Sequence, residues 1–187
     1  MIVKIKESKE MKKALMVAKY FILLNAKSIK NVESADDIEQ NEPMTHLKIQ
    51  KLLYYANGLN LVYFNQPLFD NPIEAWKHGP VVREVYNDLS QYGKRDLMQI
   101  PNLLYTEDTL SDDERDIIEM AFREYGRYTA LELRNMTHSE PTWIEAYQKG
   151  QNTPIDNEIM YSYFVKKQKQ KAEIMYIKSK EYRCLFS

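Results

Sequence analysis

Cysteine is all but missing: Cys184 is the single one in 187 residues. It cannot close a disulfide within the chain or build a thiolate zinc site, and such usage suits a reducing cytosol. Glycine is scarce, with five residues at positions 58, 79, 93, 126 and 150. They are too scattered to form a phosphate-cradling loop, and no Gly-x-Ser-x-Gly elbow is present. Five glycines and seven prolines supply too few turns for a many-stranded sandwich or barrel. An excess of one charge is also lacking. Lysine and arginine number 26 against 27 aspartates and glutamates, a net charge of −1, without the basic surplus of a dedicated nucleic-acid binder. Long apolar runs are absent as well. The longest, Ala14–Leu24, contains Lys19, is too short and too charged to span a bilayer, and reads as a buried helix. No secretory signal is seen. The expectation is a cytoplasmic chain with no membrane partner.

What is present is an apolar fraction of 44%, enough for an ordinary core in a chain of one domain's length. The spacing predicts a mainly α, compact single-domain bundle of six to eight helices, with a small β-hairpin or extended arm near 66–80. The first helix is expected from Lys9 to about Ala26, followed by an acidic loop from Asn25 to Pro43. Thr45 caps a second helix reaching about Phe64. Its apolar face is read as Ile49, Leu52, Leu53, Ala56, Leu59 and Tyr63, and further apolar residues make it the most buried element. Gly79-Pro80 is expected to turn the arm sharply into a helix ending near Gly93, with Pro80 in its first turn and Trp76 anchoring the arm to the core. Lys94–Leu110 connects to the next helix. Ser111–Glu114 and Thr129–Glu132 are capping boxes. Gly126 is expected as a left-handed cap. Pro141–Lys149 forms another helix closed by Gly150, and Thr153-Pro154 is expected to start one more. Residues 165–187 read as a basic helical tail, set apart from residues 1–164. It holds seven basic and two acidic residues between Val165 and Arg183.

The residues offer little catalytic chemistry. His46, His78 and His138 show no metal-ligand spacing and are expected to cap helices or pack at the core edge. Cys184 lies on the charged tail without a fixed base, and no carboxylate pair is singled out by spacing. The chain is read as a non-enzyme that needs no cofactor or metal. The 14 tyrosines and two tryptophans suit either a helical core or a binding face. Tyr54, Tyr55, Tyr63 and Tyr125 are assigned to the core, while Trp76 and Trp143 fit either role.

Three stretches carry a resemblance. Met44-Thr45-His46-Leu47-Lys48-Ile49-Gln50-Lys51-Leu52-Leu53-Tyr54-Tyr55-Ala56 resembles the leading helix of the SocA-like, or Panacea, domain family. Pro67–Asp70 followed by Ile73-Glu74-Ala75-Trp76-Lys77-His78-Gly79-Pro80-Val81-Val82 resembles its most characteristic stretch. Thr137–Ala146 is similar to its later signature, although Thr142 separates Pro141 from Trp143, which the family often places together. The likeness runs from about Ala14 to Phe164. It implies an antitoxin-associated, also phage-associated, helical domain whose partner is a cognate protein toxin. Alternatives are a phage-borne protein acting on a host factor, or a DNA-binding autoregulator. The resemblance puts partner-binding or signature roles on Lys51, Tyr54, Trp76, Lys77, His78, Gly79, Pro80, Arg83, His138 and Trp143, with contact and architecture both open.

Overall fold

The computed structural model describes the backbone of residues 2–30, 43–104 and 110–185, and the side chains of residues 13–28, 43–104 and 110–175. Among them the elements run α1 (Ile2–Lys30), α2 (His46–Phe64), β1 (Ile73–Trp76), β2 (Gly79–Val82), α3 (Arg83–Leu89), α4 (Asp112–Tyr125), α5 (Ala130–His138), α6 (Pro141–Lys149), β3 (Thr153–Pro154) and α7 (Asn157–Leu185). The expected mainly α architecture with a small β-hairpin is the one observed.

Helix α2 is the axis of the fold. Thr45 caps it by accepting the Lys48 N–H, and Asn65 ends it in the left-handed region at φ 53°. Between them nearly every residue to Leu61 is buried, because α1, α4, α5, α7 and β2 pack around it. Close approach is possible at Gly58, where a Cβ would lie 2.4 Å from the Phe164 ring. Tyr63, assigned from sequence to the core face, is 53% exposed. It lies beyond the stretch that neighbouring elements cover. Both capping boxes form, at Ser111/Glu114 and Thr129/Glu132.

The sheet holds three strands in the order β2–β1–β3, all antiparallel. Pro80 therefore does not open a helix: Gly79–Val82 is a strand, and the helix starts at Arg83. Opposite Ala75, Pro80 turns its carbonyl away from β1 to α2, where Lys51 Nζ donates to it at 3.0 Å. The missing N–H faces the same way, so the ladder loses nothing. Val82 N–H, two residues on, points likewise and donates to Gln50 Oε1 at 2.8 Å. Two polar side chains of α2 thus close the outer edge of β2. Thr153-Pro154, expected to start a helix, pairs with β1 instead, and α7 begins after Asp156. Gly126 is right-handed at φ −62° rather than left-handed, since helix α4 leads into a further turn. Helix α1 is longer than expected at both ends and runs on through Lys30. The acidic loop over residues 31–42, and Cys184 as a side chain, lie outside the described residues. Helix α7 runs unbroken through position 165. Among the described residues no helix is long and apolar enough to cross a membrane.

Candidate functional site

The corner between α5 and α6, residues 137–143, is where the sequence-nominated residues meet. Trp143, buried in α6, donates from Nε1 to the Trp76 carbonyl at the end of β1, 3.1 Å away. Its ring stacks on His138, the last residue of α5, at 4.0 Å and 10°, and on Tyr147 at 4.7 Å. Thr137, fully buried, faces Gly79. That glycine holds φ +99°, and a Cβ on it would meet Lys51 Cε at 2.7 Å and Thr137 Oγ1 at 2.9 Å. Glycine is required there twice over, for the backbone angle and for the close approach.

Lys51 is 2% exposed. Burial, and then the nearby Arg134 charge, push its pKa down to about 7. His138 is lowered by burial, then by Arg134, Lys51 and His78, so basic groups gather at this corner and each disfavours the others' charged form. The hairpin turn itself, Lys77-His78, is exposed. Trp76 is half-buried and lies outside the core cluster, its ring tilted against that of Tyr86 in α3 at 5.0 Å. Ile73 and Ala75 enter the core cluster instead. The Trp76 ring lies over the arm's flank, with its Nε1 donating to Glu74 Oε2 at 2.8 Å and the Arg83 guanidinium 5.3 Å from the ring centroid. Arg83 in turn grips Glu74 through Nε at 3.0 Å and Nη2 at 2.6 Å, a two-pronged pairing that fixes both side chains.

Tyr54 stands apart from this group and belongs to a second polar knot that sequence reasoning missed. Its hydroxyl donates to Glu140 Oε2 at 2.5 Å and meets Thr142 Oγ1 at 2.6 Å. Tyr55 donates to Glu140 Oε1 at 3.3 Å, and Lys167 from α7 donates to the same oxygen at 2.8 Å. The Lys167 ammonium also lies 4.9 Å from the Tyr55 ring centroid and 5.3 Å from that of Tyr125. Lys167 is therefore part of the fold and not of an unpartnered tail. Glu140, Thr142 and Thr137 stood inside the third resembling stretch, where Thr142 was marked only as a departure from the family pattern and nothing local distinguished Glu140 or Thr137. Lys167 was hidden among identical lysines.

Of the ten nominated residues, then, Lys51, Tyr54, Gly79, Pro80 and Trp143 are buried and join α2, the hairpin and the α5–α6 corner. His138 and Trp76 are half-buried at the rim. Lys77, His78 and Arg83 are exposed, and Arg83 is committed to Glu74. Among the described residues no cluster of His, Cys, Asp or Glu could hold a metal.

The family described as antitoxin SocA-like, Panacea domain matches residues 49–144, just over half of the chain. The chain belongs to this family. The matched span starts in α2, takes in the hairpin and ends in α6, so it encloses the joined signature residues, while Lys167 lies beyond it. A curated relative, antitoxin SocA of Caulobacter vibrioides (strain NA1000 / CB15N), is 32% identical over 124 residues, covering 60% of this chain. The chain spans 64% of that relative's length. No solved structure matches.

Proposed function

We propose that this chain is an antitoxin-type protein that acts in the cytoplasm, binds a cognate protein toxin directly and neutralises it by contact without chemistry. The observation that carries this reading is membership of the SocA-like, Panacea domain family over residues 49–144, together with the name of the relative found. The site supports it in a second way. Most signature residues are consumed by architecture, while Lys77 and His78 project at a turn whose base is clamped by Trp143, Gly79 and Lys51. A rigid exposed tip lowers the ordering cost of an interface.

The test is co-expression of this chain with the product of each adjacent open reading frame. One product is expected to arrest growth alone and to be tolerated alongside this chain, with the two co-purifying. A Lys77→Glu/His78→Glu variant is expected to lose rescue while keeping its helical circular dichroism. The reading fails if no adjacent product is toxic, or if rescue occurs without a complex.

A further inference from the structure

Four basic side chains meet where the hairpin turn faces the end of α5. Lys51 comes from α2, His78 from the turn, and Arg134 and His138 from α5. The charges that bear on Lys51 and His138 all belong to basic groups, with no carboxylate among them. His46, earlier on α2, feels the same lysine, and β2 brings no charged side chain. Other cations held against the fold meet a carboxylate: Glu74 for Arg83, Glu140 for Lys167 and Glu124 for Lys171. Here the partners are neutral. Lys51 donates to the Pro80 carbonyl and Arg134 to Asn135 Oδ1 at 3.2 Å. His138 Nε2 is buried with no hydrogen-bond partner among the described residues. The negative end of the α5 dipole, roughly half a charge, offsets only part of this excess.

We propose that this corner binds a small oxyanion, a carboxylate or a phosphate-like group, gripped by Arg134, His78 and the exposed side of His138, with Lys51 behind them. The ligand is an anion because like charges gathered together disfavour one another until an opposite charge sits among them. It is an oxyanion because a guanidinium offers a planar fork of N–H donors that matches two oxygens, and a protonated imidazole adds another donor. The donors stand on fixed elements. His138 is held by its stack on Trp143 at 4.0 Å, and Gly79, which follows His78, packs against Lys51 and Thr137. Arg134 is half-buried and His78 exposed, so the group is reached from solvent. This goes beyond the toxin reading, because unpaired charge defines the ligand whether it is a free ion or a side chain of a bound protein.

The probe is sulfate, whose charge does not change near neutral pH, titrated at fixed ionic strength into the histidine-labelled full chain and followed by NMR. The His78 and His138 ring resonances are expected to shift saturably. A bound anion favours the protonated forms of the groups around it. Affinity should therefore fall at least about threefold from about pH 6 to about pH 8, as the histidines and Lys51, with its pKa of about 7, lose their protons. Arg134→Gln should weaken binding at least about tenfold with its helical circular dichroism unchanged. Lys169→Gln, which removes an exposed cation on α7, should leave it within about twofold. Acetate in place of sulfate separates the sources. Tighter sulfate points to a phosphate-like ligand, tighter acetate to a carboxylate, and saturation by either supports the site. Shifts that rise without saturating for both anions overturn the proposal. So does unchanged affinity in Arg134→Gln, an equal loss in Lys169→Gln, or affinity that is the same at both pH values. Growth rescue by a chain that binds neither anion removes this proposal alone, and anion binding without rescue removes only the toxin reading.

Discussion

Glu140 and Lys51 are both almost fully buried charges, and they are held in opposite ways. Glu140 has a cation, Lys167, and two tyrosine hydroxyls on its oxygens, drawn from α2 and α7. Lys51 donates to one backbone carbonyl, and the charge that most affects it is a like one, Arg134. The difference shows that burial alone says little about what a charge contributes. A saturated anion ties distant elements together, and removing one member strands the others. A cation with one carbonyl is tolerated for its hydrogen bond and gives up its proton readily.

The strongest way to break the comparison is Glu140→Ala. It leaves the part-buried Lys167 ammonium without its counter-ion and the Tyr55 hydroxyl without its acceptor, while Tyr54 keeps Thr142, and the expected loss is about 3 kcal/mol by urea denaturation. A loss under about 1 kcal/mol would mean that the knot is no anchor. Next comes the pH response. The Lys51 pKa in the folded chain, about 7, lies below its ordinary 10.5. Between those values the unfolded chain binds more protons, so stability rises with pH. Tyr54, Tyr55, Tyr125 and Tyr163 are raised, chiefly by burial. Their contribution is present below pH 10 and is lost above it. The wild type should therefore gain stability from neutral pH toward about 10 and lose it beyond. Lys51→Met should stay within about 1 kcal/mol of wild type at neutral pH, abolish the rise and keep the fall. A rise that persists in Lys51→Met would refute the assignment.

Trp143→Phe keeps the stack on His138 but removes the donor to the Trp76 carbonyl, at an expected cost of about 1 kcal/mol by thermal denaturation. The smallest expected effect sharpens the contrast between held and free residues. Lys77→Ala with His78→Ala should change stability by less than about 0.5 kcal/mol, because both are exposed at the turn.

The sequence was most readable where the physics is local. Both capping boxes, the Thr45 cap and the length of α2 follow from residues within a few positions of one another. The errors sit where partners are remote. Pro80 followed by apolar residues fits a helix start as well as an edge strand, and what decided it was the pairing with Ile73–Trp76 and the lysine one helix away. Thr153-Pro154 became a strand for the same reason, since the Ala75 and Ile73 carbonyls of β1 accept the N–H groups of the flanking Asn152 and Ile155. Among the site residues, the resemblance named Lys51, Gly79, Pro80, His138 and Trp143, which the fold brings to one corner. It could not separate those that weld the fold from those that face outward, because that sorting depends on exposure. Lys167 and Glu140 find each other across 27 residues, a distance at which no periodicity speaks.

The closure of β2 by Gln50 and Lys51 also bears on how the chain avoids its own kind. A strand edge with free carbonyls and amides can recruit another molecule's strand and begin a fibril. Here one flank of the sheet is shielded by a helix that offers side-chain amide and ammonium in place of a neighbouring strand. The other flank ends in a two-residue strand containing proline. Substitutions that shorten Gln50 or Lys51 should therefore show themselves in insolubility during expression at high level, even where the isolated monomer remains well folded.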